Sequence, residues 1–110
     1  MDSASAQIDA TRALLSKLWQ RSLPLLRERL TLLDATANAA HAGTLDAALR
    51  DRAISEAHNL AGSLGMFGYP DGTDVAREIE ILLEAPGDPS PQHLTELATE
   101  LRAILFPPGS

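Results

Sequence analysis

Apolar residues recur along this chain at intervals of three and four, and that spacing restricts the fold more than any other feature. Leu26, Leu30, Leu33 and Ala37 fall on one face of the segment from Pro24 to Ala42, with Arg27, Glu28, Arg29 and Asp34 largely off it. Leu49, Ile54, Ala57, Leu60, Leu64 and Phe67 form a second series, Val75, Ile79, Leu82 and Leu83 a third, and Leu94, Leu97, Leu101 and Leu105 a fourth. This is the period of a helix with one buried face, and a strand would need alternation instead. Each such face must be covered by another helix. Leucine and alanine dominate while aromatic residues make up only 4% of the sequence, so the residues that favour sheets are scarce. The expected fold is all-α, an antiparallel four-helix bundle with an additional or kinked N-terminal helix.

The punctuation between these series sets the boundaries. A helix starts near Ile8, capped by Ser5 or a neighbour, and carries Leu14, Leu15, Leu18 and Trp19. Pro24 lacks a backbone donor and crowds the preceding turn, so a kink or short break is expected there. Gly43 suits the left-handed position that closes a helix, and Thr44 suits the cap of one beginning at Leu45 and running to Phe67. Gly68 ends that helix in the same way. Pro70 and Asp71 open a turn into a helix from Gly72 to Leu83, which makes an antiparallel hairpin. The stretch from Ala85 to Pro91 holds three prolines and a glycine in seven residues, a clear loop, and Ser90-Pro91 starts the last helix. Phe106 covers one end of the core before Pro107, Pro108 and Gly109 stop the helix. One domain over 1–110 is expected, with residues 1–5 and 107–110 frayed.

A net charge of −6 and a pI near 4.8 argue against nucleic acid, whose backbone is bound through Lys and Arg patches, and against an anionic membrane surface. There is no cysteine, hence no disulfide framework and no thiolate metal site. The start MDSASAQID lacks the basic and apolar regions of a signal peptide, and no apolar run is long enough to span a bilayer. A cytoplasmic location is expected, and a monomer, because a bundle of this length can bury its own core.

The stretch Ser55 to Gly68, SEAHNLAGSLGMFG, carries the chemistry. On a helix His58 shares a stripe with Gly62 and Gly65, four and seven positions on, while Ala57, Leu60, Leu64 and Phe67 lie on the apolar stripe. The histidine points away from the core. A helical glycine costs roughly 1 kcal/mol relative to alanine, so two below one outward histidine imply that something large approaches the ring. A bare imidazole on a rigid support suits a phosphoryl acceptor, since its unprotonated nitrogen is a nucleophile. Across the hairpin, Glu80 should face His58 and could hold one tautomer, with Arg77 and Glu84 on neighbouring turns. His41 and His93 have no metal-ligand spacing, and no metal site is expected. No P-loop or kinase-type nucleotide motif occurs.

The run Ala57-His58-Asn59-Leu60-Ala61-Gly62-Ser63, followed by Gly68, resembles the AHxLKGS…G signature of histidine-containing phosphotransfer (HPt) domains. Val75-Ala76 and Ile79-Glu80 fall where that family has an apolar pair and a Leu-Glu. The resemblance implies an HPt-like four-helix bundle whose exposed histidine exchanges phosphoryl groups with the aspartate of a receiver domain, in a response regulator or hybrid kinase. It implies a carrier, not an enzyme, with no cofactor of its own, Mg belonging to the partner receiver. His58 is then the phosphoacceptor, Asn59, Ala61, Gly62 and Gly65 the docking and clearance positions, and Arg77 and Glu80 supporting residues. Many members have lysine three residues after the histidine, where this chain has Ala61, so Arg77 is the expected source of compensating charge. Two other functions stay open: a helical interaction module that binds a receiver or kinase without phosphoryl exchange, and a structural bundle that oligomerises through its glycine-bearing face.

Overall fold

The computed structural model describes residues 3–108, and all four of its regular elements are α-helices: α1 (Ser3–Ala42), α2 (Ala47–Met66), α3 (Pro70–Glu84) and α4 (Pro91–Leu105). Short connections turn each helix back along its predecessor. α1 packs on α2 and α4, and α3 packs on the same two, so α1 lies diagonally across the bundle from α3. The fold is the expected all-α bundle. No described helix is long and apolar enough to cross a membrane.

Of the kink or short break expected at Pro24, the break does not occur: the N-terminal segment and the helix after it are one element of 40 residues with Pro24 inside it. Pro24 and Gln20 are both exposed, so the carbonyl that loses its helical donor can turn to water. The start of α1 is also earlier than expected. Ser3, Ser5 and Ile8 all lie within the helix, and Ser5 is not its cap; of the ends read as frayed, residues 1, 2, 109 and 110 lie outside the described residues.

Two turns share one geometry. Gly43 has φ +70° and Gly68 φ +84°, values that cost glycine nothing. At the first, Gly43 N–H donates to the Ala40 carbonyl and Thr44 N–H to Ala39; at the second, Gly68 donates to Gly65 and Tyr69 to Leu64. Both are the paired closing bonds of a Schellman motif. Thr44 is thus spent on ending α1, and the cap of α2 is Asp46, whose Oδ1 accepts from the Leu49 N–H at 2.7 Å. α3 begins at Pro70 instead of Gly72, because proline at the first helical position gives up a donor that would have no partner. Ser90 caps α4 as expected, accepting from the His93 N–H.

The core is aliphatic: Leu26, Leu30 and Leu33 from α1, Leu60 and Leu64 from α2, Ile79 and Leu83 from α3, and Leu97 and Leu101 from α4 are all buried. Aromatic rings sit at one end. Trp19 stacks on Tyr69 at 4.9 Å and meets Phe67 edge-on at 5.2 Å, which clamps α1 over the α2–α3 turn. Phe106 is half-buried against the core under the Arg27 guanidinium, 4.3 Å from its centroid.

Candidate functional site

Asp46 at one end of α2 and the Gly68 turn at the other fix which way that helix faces. Ala57, Leu60 and Ala61 go into the core, and His58, between them, emerges with 72% of its side chain exposed. The ring is nevertheless held. Its Nδ1 lies 3.0 Å from Glu80 Oε2, and only 19% of the Glu80 side chain is exposed. An ionised carboxylate can only accept, so Nδ1 carries the hydrogen and donates it, and in the neutral ring this arrangement leaves the lone pair on Nε2. The opposition of His58 and Glu80 expected from counting across the hairpin is present.

A buried bond sets the spacing of the two helices beneath this pair. The Thr73 hydroxyl on α3 donates to the Ala61 carbonyl on α2 at 2.9 Å, one turn along from His58. Hydrophobic spacing gave no hint of it. A Cβ on Gly65 would come 3.4 Å from Thr73 Oγ1, whereas one on Gly62 would meet nothing within 4 Å. Both glycines are exposed, but the open shelf beside the imidazole belongs to Gly62, and Gly65 lies against the start of α3. Asn59 is exposed next to the histidine. Ala61, expected as a docking position, is buried, and lines the cleft that Gly62, Arg77, Glu80 and Ile81 share with His58.

Two arginines flank the histidine. Arg77, on α3, lines that cleft. Arg29, on α1, lines a second cleft on the other side of α2, together with His58, Asn59, Gly62, Ser63 and Met66, and its Nε is 2.8 Å from Glu56 Oε2. The sequence marked Arg29 only as lying off the apolar face. Around both clefts lie exposed apolar side chains, Leu18, Leu25 and Met66 on one side and Ile81 on the other. His41 is elsewhere, its Nε2 3.0 Å from Thr95 Oγ1, and His93 is exposed on α4. Among the described residues no group of three or more His, Asp or Glu is placed to hold a metal ion.

A family model described as "Hpt domain" matches residues 17–105, a span that takes in Trp19, all of α2 and α3, and the His58–Glu80 pair. The chain belongs to the Hpt domain family. No curated protein and no solved structure matches it. Hpt domains are helical bundles that act in phosphotransfer within two-component signalling, where they typically interact with receiver domains. The bundle and the exposed helix-borne histidine of this Hpt domain fit that membership.

Proposed function

We propose that this Hpt domain is a phosphorelay intermediate that carries a phosphoryl group on Nε2 of His58 between receiver-domain aspartates. The observation that carries the reading is the tether between His58 and Glu80, which engages an exposed ring through Nδ1 and so leaves Nε2 as the atom available to a partner. The Nε2 lone pair attacks phosphorus of an aspartyl phosphate in line. As the N–P bond forms, the O–P bond breaks, and its electron pair leaves with the receiver's aspartate as a carboxylate. The ring gains positive charge in this step, and the Glu80 carboxylate beside Nδ1–H offsets it. Transfer to a second receiver reverses the step. Mg comes with the receiver, and the carrier needs no nucleotide of its own.

Gly62 and Asn59 form the shelf over which the partner reaches the ring, and the apolar side chains of Leu18, Leu25, Met66 and Ile81 offer docking area around it. Arg77 supplies positive charge from the α3 side, where Ala61 supplies none. Phosphorylated receiver domains should transfer label to the wild type as an acid-labile, alkali-stable phosphate, and His58→Gln should take none. Absence of transfer from a broad set of receivers, with the helical circular dichroism intact, would replace the relay by a binding module. Glu80→Gln should slow transfer about tenfold, equivalent to roughly 1.4 kcal/mol in the barrier, and unchanged transfer in Arg77→Ala would remove Arg77 from the scheme.

A further inference from the structure

We infer that Arg29 is a held reserve of positive charge for the phosphorylated state: it leaves Glu56 and ligates the phosphoryl group on His58 once that group is in place. The inference rests on the reading that His58 is the acceptor.

The orientation of the ring selects the side. Nδ1 is bound to Glu80 on α3, and in a five-membered imidazole Nε2 lies across the ring from that contact. A group attached to Nε2 is therefore presented away from α3. Arg77 stands with Glu80 on the α3 flank, while Arg29 stands on the opposite flank, in the cleft that His58 shares with Gly62. No side chain projects from Gly62 to block that route, and nothing lies within 4 Å of where its Cβ would be.

The exchange of partners is favourable on elementary grounds. A phosphoryl group brings close to two negative charges and three acceptor oxygens, against the single charge of Glu56. The guanidinium fork matches a phosphoryl edge as well as it matches a carboxylate. The contacting atoms, Arg29 Nε and Glu56 Oε2, are buried and form no hydrogen bond with one another, while the Glu56 side chain as a whole is 31% exposed, so Arg29 gives up an ion contact and no hydrogen bond when it departs. With Glu56 and Glu80 both acidic and Ala61 uncharged, the phosphorylated histidine without Arg29 would lack a cation on the side where the phosphoryl group stands.

The test separates this role from mere bracing of α1 against α2, which either partner's loss would remove equally. Phosphoramidate phosphorylates histidine directly: Nε2 bonds to phosphorus as the donor's P–N bond breaks and ammonia leaves, with no receiver needed. Phosphorus NMR then reads the proton affinity of the phosphoryl group in the full chain. In Arg29→Gln this affinity should rise threefold or more over wild type, in Glu56→Gln it should not rise, and Arg29→Lys should recover part of the Arg29→Gln change. In wild type, the Arg29 Nε–H resonance should move on phosphorylation. A rise below threefold in Arg29→Gln, or an Arg29 resonance that stays in place, overturns the inference. A chain that phosphoramidate phosphorylates but no receiver does would fail as a relay while still deciding the question about Arg29. Should phosphoramidate leave His58 unmodified, both fall together.

Discussion

Gly62 and Gly65 belong to one stripe of α2 but meet different surroundings, and substitutions should tell them apart. A methyl at Gly62 would enter open space, so Gly62→Ala should stabilise the fold by up to about 1 kcal/mol through helix propensity, seen as a rise in thermal midpoint. Gly62→Leu should keep that stability and lose most phosphotransfer, since a large side chain there stands in the partner's way. Gly65→Leu should destabilise as well, because its Cβ already reaches Thr73 Oγ1 at 3.4 Å and further atoms must displace the start of α3. Normal transfer in both leucine variants would end the clearance argument. His58, Glu80 and the glycine stripe were legible in the sequence because all follow from helical counting within one hairpin. Arg29 was not. It reaches the site from another helix, and nothing local distinguishes it from Arg27, which goes to Phe106 instead.

Among the elements, α3 depends on α2 for its ending. Arg50 donates through Nε to the Leu83 carbonyl and through a terminal nitrogen to the Ala85 carbonyl, both at 2.7 Å, serving acceptors that the last turn of a helix leaves open. Arg50→Ala should cost about 1–2 kcal/mol, measured by denaturant unfolding, with the loss concentrated in hydrogen exchange at the end of α3. Arg50→Lys, which cannot span two carbonyls with a planar fork, should recover only part of it. The four apolar faces were readable from spacing alone, since burial is what spacing encodes. Boundaries were less so. Thr44 and Asp46 are both good caps, and which one serves is decided by how many residues the Gly43 turn consumes. At Pro24 the choice between a kink and a break stayed open for a related reason: local rules state what proline costs a helix, and the packing of Trp19 and Leu23 before it and of Leu26 and Leu30 after it on one core offsets that cost.

At the scale of the whole molecule, α1 outruns the bundle. The molecule is 61 Å in its longest dimension and 28 Å in the next, and residues 4–14 of α1 are all exposed. The family match begins at residue 17, just before Trp19, whose ring is the first large one seated on the hairpin. Deleting residues 1–10 should therefore leave the thermal midpoint within about 2 °C of wild type, the range of surface changes. Trp19→Ala should lower stability by about 2 kcal/mol, less than a fully buried ring because Trp19 is only half-buried. Sequence spacing placed Trp19 on this helix without saying what it touches.

That ring is also the sole tryptophan of the chain. It lies against Tyr69 and Phe67, and the neighbouring Leu18 and Phe67 line the apolar groove with Met66. The unlabelled protein thus carries one indole, excitable at wavelengths where Tyr69 does not absorb, whose emission reports on that end of the bundle, so a partner settling on the Met66 side registers optically without any added dye.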